Sequence, residues 1–549
     1  MSELTQDLVR RYRDQIAQRQ TVEQQWDDIS RLVQPYRGRF FEDQKHEQSL
    51  DWGLPRESFD STAATSSNNL ASRLHGDITS PAIRWFDLRF REDKLNNNKA
   101  ASKWVQGVSD RIYYELQDSN FDLEVNKLYQ DLVGPGTAVM TLEEEPGPAN
   151  TWNGLQFQSV PLKEAYFEED LDGGAVRFYR ALEWTPQQMI RRFGDDVPDD
   201  ILQMDKDGNT EKQDVLFAIY PRNNRIFAWG KKAVPSKRPW AFCYILTQTQ
   251  EMIGKEGGMY EMSAFCARWA TTNSSQWGNS PSMMALPDIR QLNMSITLNT
   301  RRVAKAVDWP LVVEERANIN QLNIGAGTVT VVRNLNGIGE LPGRGNTGEM
   351  NTEIERLQKN IRDYYYSDAM DFPAPQGTPM SATEAQIRYE RLQRYLAPTL
   401  GQLRVDVFNP LIERCFNLLM HDGQLEPPPE VVTTQQSNLD IIYLGSLSRS
   451  QSMDVVTSIE RTMQAAQVAA QTWPEALDVV DATESIRQIG RKMNAPADMM
   501  RDDMEVQMIQ AQRREAQAQA QQAMLAQEEG EAMKAMGEGQ QAMEQEEPQ

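Results

Sequence analysis

The chain has 549 residues, 40% of them hydrophobic and 25% charged, and at roughly 100 to 200 residues per domain that length implies several packed units rather than one core. This composition excludes wholesale disorder, and no run approaches the roughly 18 consecutive apolar residues a bilayer helix needs, so no membrane partner is expected. With 57 basic against 79 acidic residues, a net charge of -22, the surface as a whole does not attract nucleic acid, and any DNA contact has to be local.

The first segment carries Leu4, Leu8, Tyr12 and Ile16 at four-residue spacing, then Val22, Trp26, Ile29 and Val33 up to Pro35, which predicts a long amphipathic helix or a helical pair. It is charged and not a signal peptide, so a cytoplasmic place of synthesis and assembly is expected. Asp60-Ser61-Thr62 opens a second helix ending near Gly76, and Trp85 to Phe90 alternates like a strand. Helices are predicted over about 98 to 118 and 121 to 133, the latter stopped by Gly134-Pro135-Gly136.

Short β-rich runs follow at Thr137 to Leu142, Leu155 to Val160, Val176 to Trp184, Val215 to Tyr220 and Phe242 to Leu246, with one helix at about Pro186 to Phe193. A helix is then predicted from Ser282 to Val307. It carries Ile289, Leu292, Ile296, Val303 and Ala306 on one face and Arg290, Thr297, Arg301 and Lys305 on another. Between 310 and 350 the chain is glycine-rich with short strands, including Thr328 to Val332, and a second helix runs from Asn351 to about Tyr366. Two helices flanking a β insertion suggest a stalk with a tip.

The segment Asp368 to Pro379 holds Pro373, Pro375, Gly377 and Pro379, which remove donors and disfavour helix, so it is read as a loop exposing Met370 and Phe372. Ser381-Ala382-Thr383-Glu384 is a capping box, and the helix it opens runs to about Met420, with Pro398, Gly401 and Pro410 expected to kink it. A strand pair is expected around Val431 to Leu444, then helices from Arg449 to Asn494. From Arg501 to Gln549 there are 11 acidic and 4 basic residues in an Ala/Gln-rich tail, either a marginal helix or a disordered end.

Material for catalysis is thin. His46, His75 and His421 stand alone, with no cysteine or paired carboxylate at ligand spacing. Cys243, Cys266 and Cys415 are few and odd in number, which fits buried inert thiols in a reducing compartment. Gly254-Lys255-Glu256-Gly257-Gly258 lacks the order of a phosphate loop, and Gly325-Ala326-Gly327 leads into a strand. Asp205 to Asn209 and Asp170 to Gly174 fail as calcium loops and read as turns. The acidic runs Glu143-Glu144-Glu145 and Asp195-Asp196 read as solvated loops, although a nucleic-acid-modifying enzyme would have to draw its carboxylates from them. Arg301 and Lys305, one helical turn apart, offer a positive stripe to a phosphate backbone or to an acidic neighbour.

The order is an α+β, mainly helical body, a helix, a β insertion, a second helix, a Pro-rich loop, a long kinked helix and an Ala/Gln-rich tail. It resembles viral portal proteins, and specifically the head-to-tail connectors of short-tailed, T7-like bacteriophages. The resemblance rests on Phe59-Asp60-Ser61-Thr62-Ala63 with Asn69-Leu70-Ala71-Ser72-Arg73-Leu74, on Thr79-Ser80-Pro81 with Trp85-Phe86-Asp87-Leu88, and on Met380-Ser381-Ala382-Thr383-Glu384.

It implies a ring of twelve copies at one capsid vertex, without enzymatic activity, cofactor or metal, through which double-stranded DNA is packaged and ejected. The implied partners are a terminase, the major capsid and scaffolding proteins and a tail adaptor. Carried onto this chain, 1–281 is the wing, 282–307 and 351–367 the stem, 308–350 the clip, and 368–380 the tunnel loop. The long wing helix is 381–429, the crown 430–498, and 499–549 a C-terminal helix or barrel. Met370, Phe372, Gln376, Arg301 and Lys305 are the implied DNA-channel residues. A different ring-forming virion scaffold or tail adaptor shares the oligomerisation but not this order.

Overall fold

The computed structural model describes residues 2–37, 59–96, 98–146, 152–171, 173–222, 234–272, 275–307, 311–313, 338–340, 347–367, 394–435, 439–444, 446–470, 472–473, 479–493, 501, 505–506, 508–520 and 522. It is a mixed helix and strand structure in two compact units, one made of Met1–Ile83 with Tyr114–Gln424, the other of Arg84–Tyr113 with Leu425–Gln549.

The first unit begins with α1 (Ser2–Leu32), a single helix rather than a pair. After it come α2 (Thr62–Ile78) and, beyond the segment given to the second unit, α5 (Phe121–Val133). Helix α2 runs past Gly76, and its start is held by the Asp60 carboxylate, which accepts the Thr62 amide at 2.8 Å. Its inward face is small (Ala63, Ser66, Ser67, Ala71), which lets Leu70 and Leu74 come close to α5, whose Leu128, Tyr129, Leu132 and Val133 are fully buried.

Strands β2 (Thr137–Pro146) and β3 (Trp152–Val160) form a three-stranded antiparallel sheet with β9 (Ala264–Arg268), in the order β3-β2-β9. A second, five-stranded antiparallel sheet joins β4 (Ala165–Glu169), β5 (Ala175–Trp184), β6 (Gln213–Pro221), β7 (Trp240–Leu246) and β8 (Met252–Met259) in sequence order. Helices α6 (Pro186–Phe193) and α7 (Asp199–Lys206) lie between β5 and β6. Thr185 and Gln188 close a reciprocal capping box at the start of α6, and Gly194 ends it.

Alternation along β6 explains the core. Val215, Phe217 and Ile219 join a cluster with Met189 and Ile201 of α6 and α7, Trp26 of α1, and Val139 and Cys266 of the three-stranded sheet. Leu216, Ala218 and Tyr220 point the other way and pack with Leu8, Val9 and Tyr12 of α1. Successive strand residues face opposite sides, so a strand covered on both faces reads as an unbroken apolar run.

The turn Asp170–Gly174 joins β4 to β5, as its composition predicts, with Asp170 N–H bonded to Gly174 C=O at 2.8 Å. The acidic run Glu143, Glu144, Glu145 is not a loop; it is the exposed end of β2, where alternation sends neighbouring carboxylates to opposite faces. Two glycines meet back to back where β2 begins. A Cβ on Gly136 (φ +84°) would stand 2.6 Å from Gly278 O, and one on Gly278 would stand 2.2 Å from Gly136 O. The obstacle is backbone in both cases, so Gly278→Ala is expected to destabilise by about 1–3 kcal/mol, measured by urea unfolding.

In the second unit β1 (Phe86–Phe90) pairs antiparallel with β12 (Leu439–Tyr443), Phe86 opposite Tyr443 and Phe90 opposite Leu439. The short α3 (Asp93–Asn96) and then α4 (Lys99–Asp118), the latter up to Tyr113, accompany them. Trp104 stacks on Phe90 at 6.3 Å between ring centres and donates its indole N–H to Glu426 C=O at 2.8 Å. The strand pair expected around 431 to 444 is corrected. Glu430–Gln435 is helix, and among the described residues of that range Leu439–Tyr443 is the strand, its partner being β1 about 350 residues earlier.

Helices over Ser446–Ala470 and Ala482–Lys492 complete this unit, with Val468, Trp473, Val479 and Ile486 exposed. Residues 508–520 of the tail are helical and, apart from the half-buried Ile509, exposed.

Candidate nucleic-acid interface

The candidate channel residues fall on two stretches. Arg301 and Lys305 lie on α8 (Pro281–Val307), which pairs with α9 (Thr347–Tyr364); β10 (Leu311–Val313) and β11 (Ile338–Glu340) form an antiparallel pair between them in sequence. Met370, Phe372 and Gln376, with the whole loop 368–380, lie outside the described residues, as does Thr328 to Val332.

Helix α8 is rooted in the body by its first turns. Ala285, Leu286, Ile289 and Leu292 are buried. The Ser282 hydroxyl donates to Val133 C=O at 2.7 Å and meets the Tyr365 hydroxyl just past α9, also at 2.7 Å. Burial pushes the Tyr365 phenol well above its usual value, so it stays a neutral partner there. Leu357 and Ile361 of α9 are fully buried.

Polar side chains tie the pair along its length: Gln291 donates to Glu353 at 3.2 Å, Asn360 to Asp288 at 3.5 Å and Asn299 to Asn351 at 3.5 Å. Arg290 is ion-paired with Asp28 of α1, so it is committed to the body, and Thr297 bonds back to Asn293 C=O within its own helix. Of the predicted polar face, Arg301 remains solvent-exposed, with Lys305 one turn further along the backbone.

The sequence reading missed a feature of this helix. Met284, Met294 and Leu298 are 45%, 66% and 44% exposed. Together with Arg301 they form a stripe opposite the buried Ile289 and Leu292, and Val303, placed by periodicity on the apolar face, is also exposed. Heptad spacing from Met284 runs through 287, 291, 294, 298 and 301, and Met284, Met294 and Leu298 are the large exposed apolar members of that row.

Beyond the Pro-rich segment, which lies outside the described residues, 394–403 are helical (α10), unbroken at Pro398 and Gly401. The irregularity lies further on: Arg404–Phe408 is a π-helical turn leading into α11 (Asn409–His421), with the Asn409 amide bonded to Arg404 C=O. Pro410 accounts for it, because it has no N–H for the Asp406 carbonyl and its ring crowds that position, so the preceding turn widens.

The widened turn aims Asp406 at Arg268 of β9. The guanidinium grips Asp406 through Nε and Nη2, both at 3.1 Å, and donates to Glu169 at 2.7 Å and Gly173 C=O at 2.6 Å, with Gln402 donating to Asp406 at 3.0 Å. The Arg268 and Asp406 side chains are 3% and 5% exposed, so this is a buried, bidentate anchor for the helix that runs through α10 and α11. Burial opposes the Arg268 charge, but Asp406 and Glu169 more than offset it and its pKa goes up.

Little else suggests chemistry. Among the described residues no group of three or more His, Cys, Asp or Glu is arranged to hold a metal, and no helix is long and apolar enough to cross a membrane. The three cysteines are free and buried, and burial raises the Cys243 thiol to about 12. Of the acidic pair between α6 and α7, Asp196 is spent on a surface ion pair with Lys255 at 3.1 Å.

With no catalytic constellation among the described residues and a pair of helices as the chief candidate element, the comparisons with known proteins decide. Residues 5–500 match the sequence profile of the bacteriophage head to tail connecting proteins. The chain belongs to that family. It is 26% identical over 540 residues to the probable portal protein of Bordetella phage BPP-1, covering 94% of this chain and 92% of the relative. It is also 25% identical over 516 residues to the portal protein of Salmonella phage epsilon15, covering 92% and 90%.

Proposed function

We propose that this connector is the portal of a bacteriophage head: a non-enzymatic ring of twelve identical copies at one capsid vertex, through which double-stranded DNA enters during packaging and leaves on ejection. The observation that carries the reading is end-to-end similarity to two phage portal proteins. The paired helices α8 and α9, joined through a segment containing β10 and β11, support it as stem and clip.

In this reading 1–281 is the wing, 282–307 and 351–367 the stem, and 308–350 the clip that docks a terminase and then a tail adaptor. The tunnel loop is 368–380, the long wing helix 381–429, the crown 430–498, and 499–549 a terminal helix or barrel. Major capsid and scaffolding proteins are its partners during assembly in the host cytoplasm, and the ring takes its place at the capsid vertex of the virion. DNA meets Met370, Phe372 and Gln376 of the loop and the Arg301 and Lys305 stripe. A net charge of -22 with few local cations keeps affinity low, because each neutralised phosphate adds counterion-release binding that would stall sliding DNA.

The test is packaging with a purified motor and proheads. Arg301→Ala with Lys305→Ala is expected to assemble like the wild type while lowering packaged DNA several-fold. Normal packaging by that variant removes the stripe from the channel. Proheads that package equally well without this protein overturn the portal reading itself.

A further inference from the structure

Helix α9 stops on a tyrosine whose backbone is in a region that tyrosines rarely occupy. Tyr366 has φ +58°, left-handed geometry in which the Cβ of an L-residue crowds the following carbonyl. Just past a helix end, glycine usually takes this place. Two short-range bonds close the last turn, from the Tyr365 amide to Arg362 C=O at 3.1 Å and from the Tyr366 amide to Asp363 C=O at 3.0 Å. The neighbours on both sides are fixed: Tyr365 is fully buried with its hydroxyl against that of Ser282, and Ser367 is buried as well.

The Tyr366 ring stacks on Tyr395 of α10, with 5.9 Å between centres and 23° between planes. Tyr395 is itself set beside the buried Leu396, one turn from the buried Thr399. The stack therefore ties the end of α9 directly to α10, across residues 368–393. Its size decides what it does. Left-handed geometry costs a non-glycine residue about tenfold in population, and an aromatic stack of this kind returns about two- to tenfold. Strain and stack are thus closely matched, and a small change in either shifts the balance.

We propose that Tyr366 is a strained joint at the end of α9, held in left-handed geometry by its stack on Tyr395, and that parting the two rings releases the last turn of the helix. A backbone outlier persists where its surroundings over-determine it, and such residues gather at moving parts. In the released state Tyr366 leaves the left-handed region and the two bonds that close the turn are lost. The joint stands on described residues alone; that it lies between stem and tunnel loop, where a push from passing DNA would reach it, rests on the portal reading.

Hydrogen exchange on the full-length protein tests the joint, with protection of the amides at 365 and 366 referred to that of α5. Tyr395→Ala parts the stack and leaves the strain, and is expected to lower protection about fivefold; Tyr395→Phe keeps the stack and is expected to match the wild type. Tyr366→Ala lacks the ring and keeps the strain, with an expected loss of about tenfold. Tyr366→Gly lacks the ring and the strain together, and is expected to stay within about twofold of the wild type. Unchanged protection in Tyr395→Ala, or equal protection in Tyr366→Ala and Tyr366→Gly, overturns the proposal. If Tyr366→Ala does not fold, Tyr395→Ala against Tyr395→Phe decides it. None of these readings needs a ring or DNA, so a chain that forms no ring overturns the portal reading and leaves the joint standing.

Discussion

Replacing Arg268 by alanine is expected to destabilise the first unit by about 3–5 kcal/mol, the cost of removing one partner from a buried ion network. Asp406 would be left 5% exposed with only Gln402 to satisfy it, and Glu169 and Gly173 would lose their shared donor. The loss should appear as a lower urea midpoint with an unchanged slope. Asp406→Asn, which keeps shape and one acceptor, is expected to cost less than Arg268→Ala. An alanine variant within about 1 kcal/mol of wild type, the range of a surface pair, would show that the anchor contributes nothing.

Trp26→Ala is the second large effect, expected at about 3–5 kcal/mol. Trp26 is 1% exposed, meets Trp277 edge-on at 5.0 Å between centres, and donates its indole N–H to Pro135 C=O at 3.0 Å. Truncation would open a cavity between α1 and the body and leave that carbonyl without its partner. Trp26→Phe should recover much of the packing but not the hydrogen bond, so its cost, read from the same unfolding curves, should lie between wild type and alanine.

The long helices were legible because each carries a stripe at helical spacing and a clear stop: Leu8, Tyr12, Trp26 and Ile29 are buried on α1, and Gly134 ends α5. The central strand β6 was legible because burial on both faces makes it continuously apolar. Strand β8 was not. Gly254, Gly257 and Gly258 with Lys255 and Glu256 have the composition of a loop, yet the glycines are what admit it to the sheet: a Cβ on Gly257 would meet the Phe242 ring at 2.2 Å, and one on Gly258 the Pro235 carbonyl at 1.9 Å. Close approach by a neighbour distant in sequence leaves no local periodic signal.

The same holds for the candidate interface. Periodicity placed Arg301 on a polar face, but that Arg290 belongs to Asp28 and that Met294 and Leu298 face outward depends on where α1 and α9 lie. Pro410 signalled a disturbance in the long helix. That the widened turn aims Asp406 at Arg268 required the partner on β9.

The central claim is that copies of this chain close into a conduit for DNA. Single-particle electron microscopy of the purified protein, with native mass determination of the same sample, tests it most directly. A closed ring with a central channel, a narrow stalk end and a mass of twelve chains is the predicted result. A species of 62.7 kDa with no ring under assembly conditions would contradict it.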